Sequence, residues 1–176
     1  MTETPEYEYR AENLARMRVY ATVGQGIHTW SLMEGSLVEI GACLMGTTND
    51  KAGTVLYSIV SFHTWLSIFD DLFNIDSRFK PLKPTWNQIA ANLRGLNDAR
   101  VRLAHHAVPY SLEGSIPPAD LRLSPGRHDR RSKVGKQTPL SQSDIEAFSN
   151  AVREVLEKIL AFTPDIRAAA SLLEET

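Results

Sequence analysis

Cysteine is almost missing from this chain of 176 residues: Cys43 stands alone. A single cysteine excludes an internal disulfide and any cysteine-based zinc cluster. It lies in the apolar run EIGACLMG, where a buried, inert thiol is expected. Long apolar runs are missing too. The most apolar stretch, VLYSIVSFHTWLSIF, is broken by Ser58, Ser61, His63, Thr64 and Ser67 and ends on Asp70 and Asp71. It reads as a core helix and excludes a membrane span. The first residues, MTETPEYEYRAEN, are acidic and carry no apolar segment, so a secretory signal is not expected and a cytoplasmic address is. Charge of one sign is scarce: 19 Lys and Arg stand against 21 Asp and Glu, a formal net charge of -2. A chain-wide nucleic-acid coat or membrane-surface role is excluded, and any anion binding must be local. Internal repeats and low-complexity tracts are absent. So are the phosphate-binding P-loop, the dinucleotide glycine fingerprint and the nucleophile elbow.

What is present suits one soluble domain, residues 1–176 with a core of about 26–162, large enough to fold without a metal or disulfide staple. Trp30, Met33, Leu37, Gly41 and Leu44 follow the three-and-four spacing of a helix face, predicting a helix over about 26–44. A separate short helix before it would use Leu14, Met17 and Tyr20. The turn at Thr47–Asp50 offers caps for a second helix over about 51–73, apolar around most of its circumference. Pro81 and Pro84 punctuate the next connection. A third helix starts near Thr85 and places Trp86, Ile89, Leu93, Leu96, Arg100 and Leu103 on one strict alternation, with Pro109 beyond its end. The last helix begins at TPLSQSDIEAF, where Ser141 and Asp144 form a near match to a capping box. Ile145, Phe148, Val152, Val155, Leu156, Ile159 and Leu160 make its core face. Pro164 is expected to stop it, with a further short helix in the tail. No strand-rich pattern competes, so the fold class is all-α, an antiparallel bundle of four to five helices. Residues 111–137 form a long connection, with a short hairpin expected around SPGR.

Two charges stand on the wrong faces. Arg100 lies inside the apolar arc of the third helix, and Glu34 lies among Trp30, Met33, Leu37 and Gly41 on the first. A guanidinium cannot shed its proton, so Arg100 must meet water, a carboxylate or an anion. A Glu34–Arg100 bridge fixing helix register is one reading. Another begins with His105 and His106, which follow Arg100 by five and six residues. Histidine moves protons near neutral pH, and arginine clamps phosphate oxygens. Together they can support phosphoryl transfer without a metal: the base takes a proton from a ribose 2'-hydroxyl while the cation steadies charge on the phosphorane. The connection adds Arg122, Arg127, Arg130, Arg131, Lys133 and Lys136 against the single acid Asp129 over 122–136. That makes a local footprint for an RNA backbone, without the aromatic residues that base stacking would need. His28 and His63, near Trp30 and Trp65, are expected to be packed or hydrogen-bonded. Asp70 and Asp71 lack the matching Glu-x-x-His set of a di-metal bundle, so no metal and no cofactor is expected.

The stretch LNDARVRLAHH, following a W-x-x-I…L-x-x-L helix, resembles the signature of HEPN-superfamily domains: an Arg, four to six residues, then a His near the end of a late bundle helix. Arg100 and His105 match it with four residues between, Arg100 and His106 with five. The early HTWSLMEGSL and the late TPLSQSDIEAF are similar to the first-helix and last-helix segments of uncharacterised bacterial members. The resemblance implies a homodimer, with Arg and His of both protomers facing each other across its seam. It implies a metal-independent ribonuclease of toxin–antitoxin or defence type. It also implies a protein partner of the antitoxin or nucleotidyltransferase kind. The family places a polar residue directly after the Arg. Val101 stands there in this chain, leaving Asn97, one turn earlier, or Arg102 as substitutes. On this reading Arg100, His105 and His106 are catalytic, and Glu34 and Asn97 orient the arginine. The competing expectation is a non-catalytic dimeric scaffold or a nucleotide- or RNA-binding module.

Overall fold

The computed structural model describes residues 6–109, 117, 120–125 and 138–171. Among these the chain is an all-α helical bundle. In order it forms α1 (Glu6–Leu44), α2 (Asn49–Tyr57), α3 (Phe62–Ile75), a single 3₁₀ turn (Lys80–Leu82), α4 (Lys83–His105), β1 (His106–Ala107), β2 (Ser124–Pro125) and α5 (Gln142–Ser171).

Three expectations about boundaries are corrected. The two first helices are one, and α1 runs unbroken for 39 residues. Its N-terminal half does not bury the expected face: Leu14 is 52%, Met17 67% and Tyr20 43% exposed, while Arg16 and Val19 are buried. The second predicted helix is two. Ser58 ends α2, and the Ser61 hydroxyl caps α3 by accepting from the Thr64 N–H at 3.3 Å. Short hydroxyl side chains that hydrogen-bond the local backbone favour such breaks. The Trp65 indole then ties the corner by donating to the Ile59 carbonyl at 3.2 Å. Pro164 does not stop the last helix but lies inside α5. The Thr163 hydroxyl takes up the Ile159 carbonyl at 2.8 Å, and Leu160, whose carbonyl loses its usual partner to the proline, sits on an exposed side. The hairpin expected around SPGR lies largely outside the described residues; of that stretch, Ser124 and Pro125 pair antiparallel with Ala107 and His106.

The expected core faces are otherwise in place. Trp30, Met33, Leu37 and Leu44 of α1, Trp86, Ile89, Leu93 and Leu103 of α4, and Ile145, Phe148, Val152, Val155 and Ile159 of α5 are buried; Leu160 is not. Gly46 ends α1 in the left-handed region at φ 59°, which spares a Cβ its clash, and the Thr47 N–H closes the end on the Ala42 carbonyl.

The chain gathers into two units. Unit 1 holds residues 1–28 and 99–150, and unit 2 holds 29–98 and 151–176. In unit 2 the centre is aromatic: Phe73 stacks on Trp86 at 5.3 Å and on Phe162 at 6.3 Å, and Phe69 meets Trp86 edge-on at 5.3 Å. A Cβ at Gly41 would sit 3.0 Å from Leu56 and 3.1 Å from Phe69, whereas one at Gly95 meets nothing within 4 Å. Gly41→Ala is therefore expected to destabilise by about 1–3 kcal/mol through overpacking. Gly95→Ala, on the open surface of α4, is expected to stabilise by about 0.5–1 kcal/mol. Equilibrium urea unfolding of both variants checks the opposite signs.

In unit 1, Val19, Leu103, Val108, Leu121, Leu123, Ile145 and Phe148 are buried. Leu123 and Leu140 exchange backbone hydrogen bonds at 2.8 Å each way, which sets the chain on course for α5. The capping box forms reciprocally: the Asp144 carboxylate accepts from the Ser141 N–H at 2.8 Å, and the Ser141 hydroxyl accepts from the Asp144 N–H at 3.2 Å. Hydrogen bonds from Ser141, aided by Arg102 and Arg122, hold the Asp144 carboxyl below the usual carboxylate range. A carboxyl whose pKa is lower folded than unfolded stabilises the fold above its unfolded value and loses that contribution as pH falls through the folded one. Ser141→Ala is expected to cost about 1 kcal/mol at neutral pH. Asp144→Asn is expected to flatten the stability loss below about pH 4. Urea midpoints at pH 6 and pH 3 measure both.

Candidate functional site

The last turns of α4 carry the charges singled out in the sequence. The helix ends because the chain leaves it for β1 directly after His105, and Pro109 has no N–H to continue a ladder. Arg102 and His105 lie in the final turn, where cations complement the helix dipole. Leu103 packs inward at 2% exposure.

Arg100 is half-buried. Its Nε is shut off from solvent with no hydrogen-bond partner among the described residues, and no ion pair involves it there. Arg102 is also half-buried and has an unpartnered Nε, but its Nη2 donates to the Thr138 carbonyl. Arg122 is half-buried and donates to the Leu121 carbonyl at 3.0 Å. The two adjacent histidines part company. His105, the last residue of α4, is exposed, while His106, the first of β1, is buried at 8% exposure. Solvent therefore reaches the first imidazole far more readily than the second.

Glu34 and Asn97 belong to unit 2. The Glu34 carboxylate accepts from the Trp30 indole N–H at 2.6 Å. Asn97 is buried, and its side-chain amide meets His63 Nε2 at 3.2 Å. His63 is thus hydrogen-bonded as expected although the residue is exposed; His28, expected to be packed or hydrogen-bonded, is exposed. Asp70 accepts from the Trp86 indole at 2.7 Å and pairs with Arg94, a structural use of that carboxylate. No cluster of His, Cys, Asp and Glu able to hold a metal occurs among the described residues. Cys43 is half-buried, and burial, seconded by Glu39, pushes its thiol pKa up, away from the thiolate a nucleophile needs. Arg127, Arg130, Arg131, Lys133 and Lys136 lie outside the described residues.

Comparison with family models, curated proteins and solved structures returns no match. The site therefore has to be judged on its own chemistry. It offers one exposed histidine and one half-buried arginine within two turns of a helix. On a straight helix the two residues stand roughly 140° apart around the axis and ~7.5 Å apart along it. A single copy of α4 thus presents them to different sides.

Reading the sequence missed one residue of this region. Arg16 of α1 is 3% exposed. Its guanidinium donates to Glu12 at 2.6 Å and to the Val108 carbonyl at 3.3 Å, just beyond the histidines. The signal available was Glu12 and Arg16 at helical i,i+4 spacing. It was overshadowed by Leu14, Met17 and Tyr20, the more apolar but exposed face.

Proposed function

We propose that this chain is a metal-independent endoribonuclease, active as a homodimer, with His105 as general base and Arg100 as phosphate clamp. One observation carries the reading. Arg100 is half-buried, is unneutralised by any carboxylate among the described residues, and shares its helix end with an exposed histidine. A scaffold arginine would be closed off by carboxylates, because a buried unpaired charge costs several kcal/mol. The Arg-x4-His spacing, similar to that of HEPN domains, supports the same reading, and the separation of the two groups around α4 suits a pair completed by a second copy.

In this reaction neutral His105 takes the proton of a ribose 2'-hydroxyl. The 2'-oxygen attacks the adjacent phosphorus, and Arg100 stabilises the negative charge that grows on the equatorial oxygens. The 5'-oxygen leaves and takes a proton from water, giving a 2',3'-cyclic phosphate and a 5'-hydroxyl end, and His105 returns the proton it took to solvent. His106, buried in β1, stands behind His105, and Arg122 offers a further backbone contact. The test is RNA cleavage in EDTA by wild type, Arg100→Ala and His105→Ala, with end-group analysis for the cyclic phosphate. Equal residual activity in all three removes the proposal. An inactive but dimeric wild type leaves only an assembly role. Growth arrest on induction of the wild type, lost in both variants, supports the toxin or defence setting.

A further inference from the structure

Burying Arg16 at 3% exposure is costly for a group that stays charged. Glu12 offsets part of that cost: it pairs with Nη2 at 2.6 Å from one turn earlier on α1, with side chains 4% and 12% exposed for Arg16 and Glu12. Stability alone does not account for such a pair, since apolar residues of similar volume in the same place are commonly neutral or stabilising. What the pair adds is direction. Nη1 reaches the carbonyl of Val108, 92 residues away in sequence, three past His105 and two past His106. From its other side the segment is held by the β1–β2 ladder, which is two residues long, and Val108 is itself buried at 2% exposure.

We propose that Arg16, held by Glu12, is a positioning residue: it clamps the chain at Val108 and so sets where the His105 imidazole points. Its consequence for catalysis rests on the ribonuclease reading, whereas the clamp itself does not. Arg16 touches no substrate, so its loss acts on turnover rather than on RNA binding.

The test uses the full chain with Glu12→Leu/Arg16→Met, which removes both charges together and leaves no unpaired ion, and with Arg16→Lys, which keeps the charge but shortens the reach to Val108. Backbone amide exchange at His106–Val108 is measured beside kcat and KM on RNA. In the double variant, exchange at Ala107 and Val108 is expected to rise about tenfold or more, with the middle of α4 unchanged. There kcat is expected to fall about 30-fold with KM within about twofold. Arg16→Lys should show the same changes, smaller. Unchanged exchange in that segment, or a KM rise that accounts for the whole loss, overturns the clamp. If the double variant does not fold, Arg16→Lys decides by the same two readouts. If the wild type cuts no RNA, the ribonuclease reading fails by itself, and the exchange measurement still decides the clamp.

Discussion

Arg100→Ala is expected to cut RNA about 10³-fold more slowly than the wild type, with little change in stability. The rate term follows from the chemistry, because removing one preorganised charge aimed at a developing oxyanion typically costs about 10²–10³-fold. Loss of the base, in His105→Ala, costs about 10²–10⁴-fold. The double variant should be hardly worse than the slower single one, since both groups serve one transition state. Arg100→Lys should fall between, because an ammonium keeps the charge but not the planar fork that grips two phosphate oxygens. The stability term follows from the structure. Arg100 makes no ion pair among the described residues, and its Nε is buried without a partner. Truncating it removes an unsatisfied group rather than orphaning one. Single-turnover kinetics with a fluorescent RNA, beside thermal melts followed by circular dichroism, check both. A large loss of stability in Arg100→Ala would show that the guanidinium holds the fold and would sink the catalytic assignment.

Trp86→Ala is expected to destabilise the protein by about 3–5 kcal/mol, the usual cost of emptying an aromatic site in a packed core. The ring is fully buried, stacked on Phe73 and edge-on to Phe69, so a cavity would open between α3 and α4. The indole N–H also donates to Asp70, and this second term can be separated. Trp86→Phe keeps most of the packing and loses only that donor. Asp70 retains Arg94, so the milder variant should cost about 1–2 kcal/mol. Equilibrium urea unfolding gives both values. Equal losses would mean that the carboxylate bridge, not ring packing, dominates at this position.

The legible parts of the sequence were those set by one dominant force. The faces of α4 and α5 followed apolar spacing, and burial found them, from Trp86 to Leu103 and from Ile145 to Ile159. The capping box at Ser141 and Asp144 was readable because two short polar side chains three residues apart have few other uses. Boundaries failed where local and tertiary terms compete. Pro164 breaks an isolated helix, but packing on both sides of it, at Phe162 and Ile166, carries α5 through. Ser61, which in the sequence only interrupts an apolar run, is a helix cap. The α1 face was misassigned because Leu14 and Met17 outrank Arg16 on any hydropathy scale, whereas the arginine is held inside by Glu12 and by the Val108 carbonyl, a partner distant in the chain. At the site, the sequence brought Arg100, His105 and His106 together, but not the contrast between an exposed His105 and a buried His106. That contrast needs the exit from α4 into β1, a pairing between residues far apart in the chain.

The placement of the three indoles matters for how this protein is studied. Trp30, Trp65 and Trp86 are all buried, each with its N–H on a different acceptor, and all belong to unit 2. Intrinsic fluorescence thus watches one half of the molecule, while Arg100, His105 and the Arg16 clamp lie in the other. A silent emission spectrum on adding RNA would therefore say nothing against binding at those residues. A tryptophan introduced at the exposed Tyr20 would give the quiet half its own optical signal.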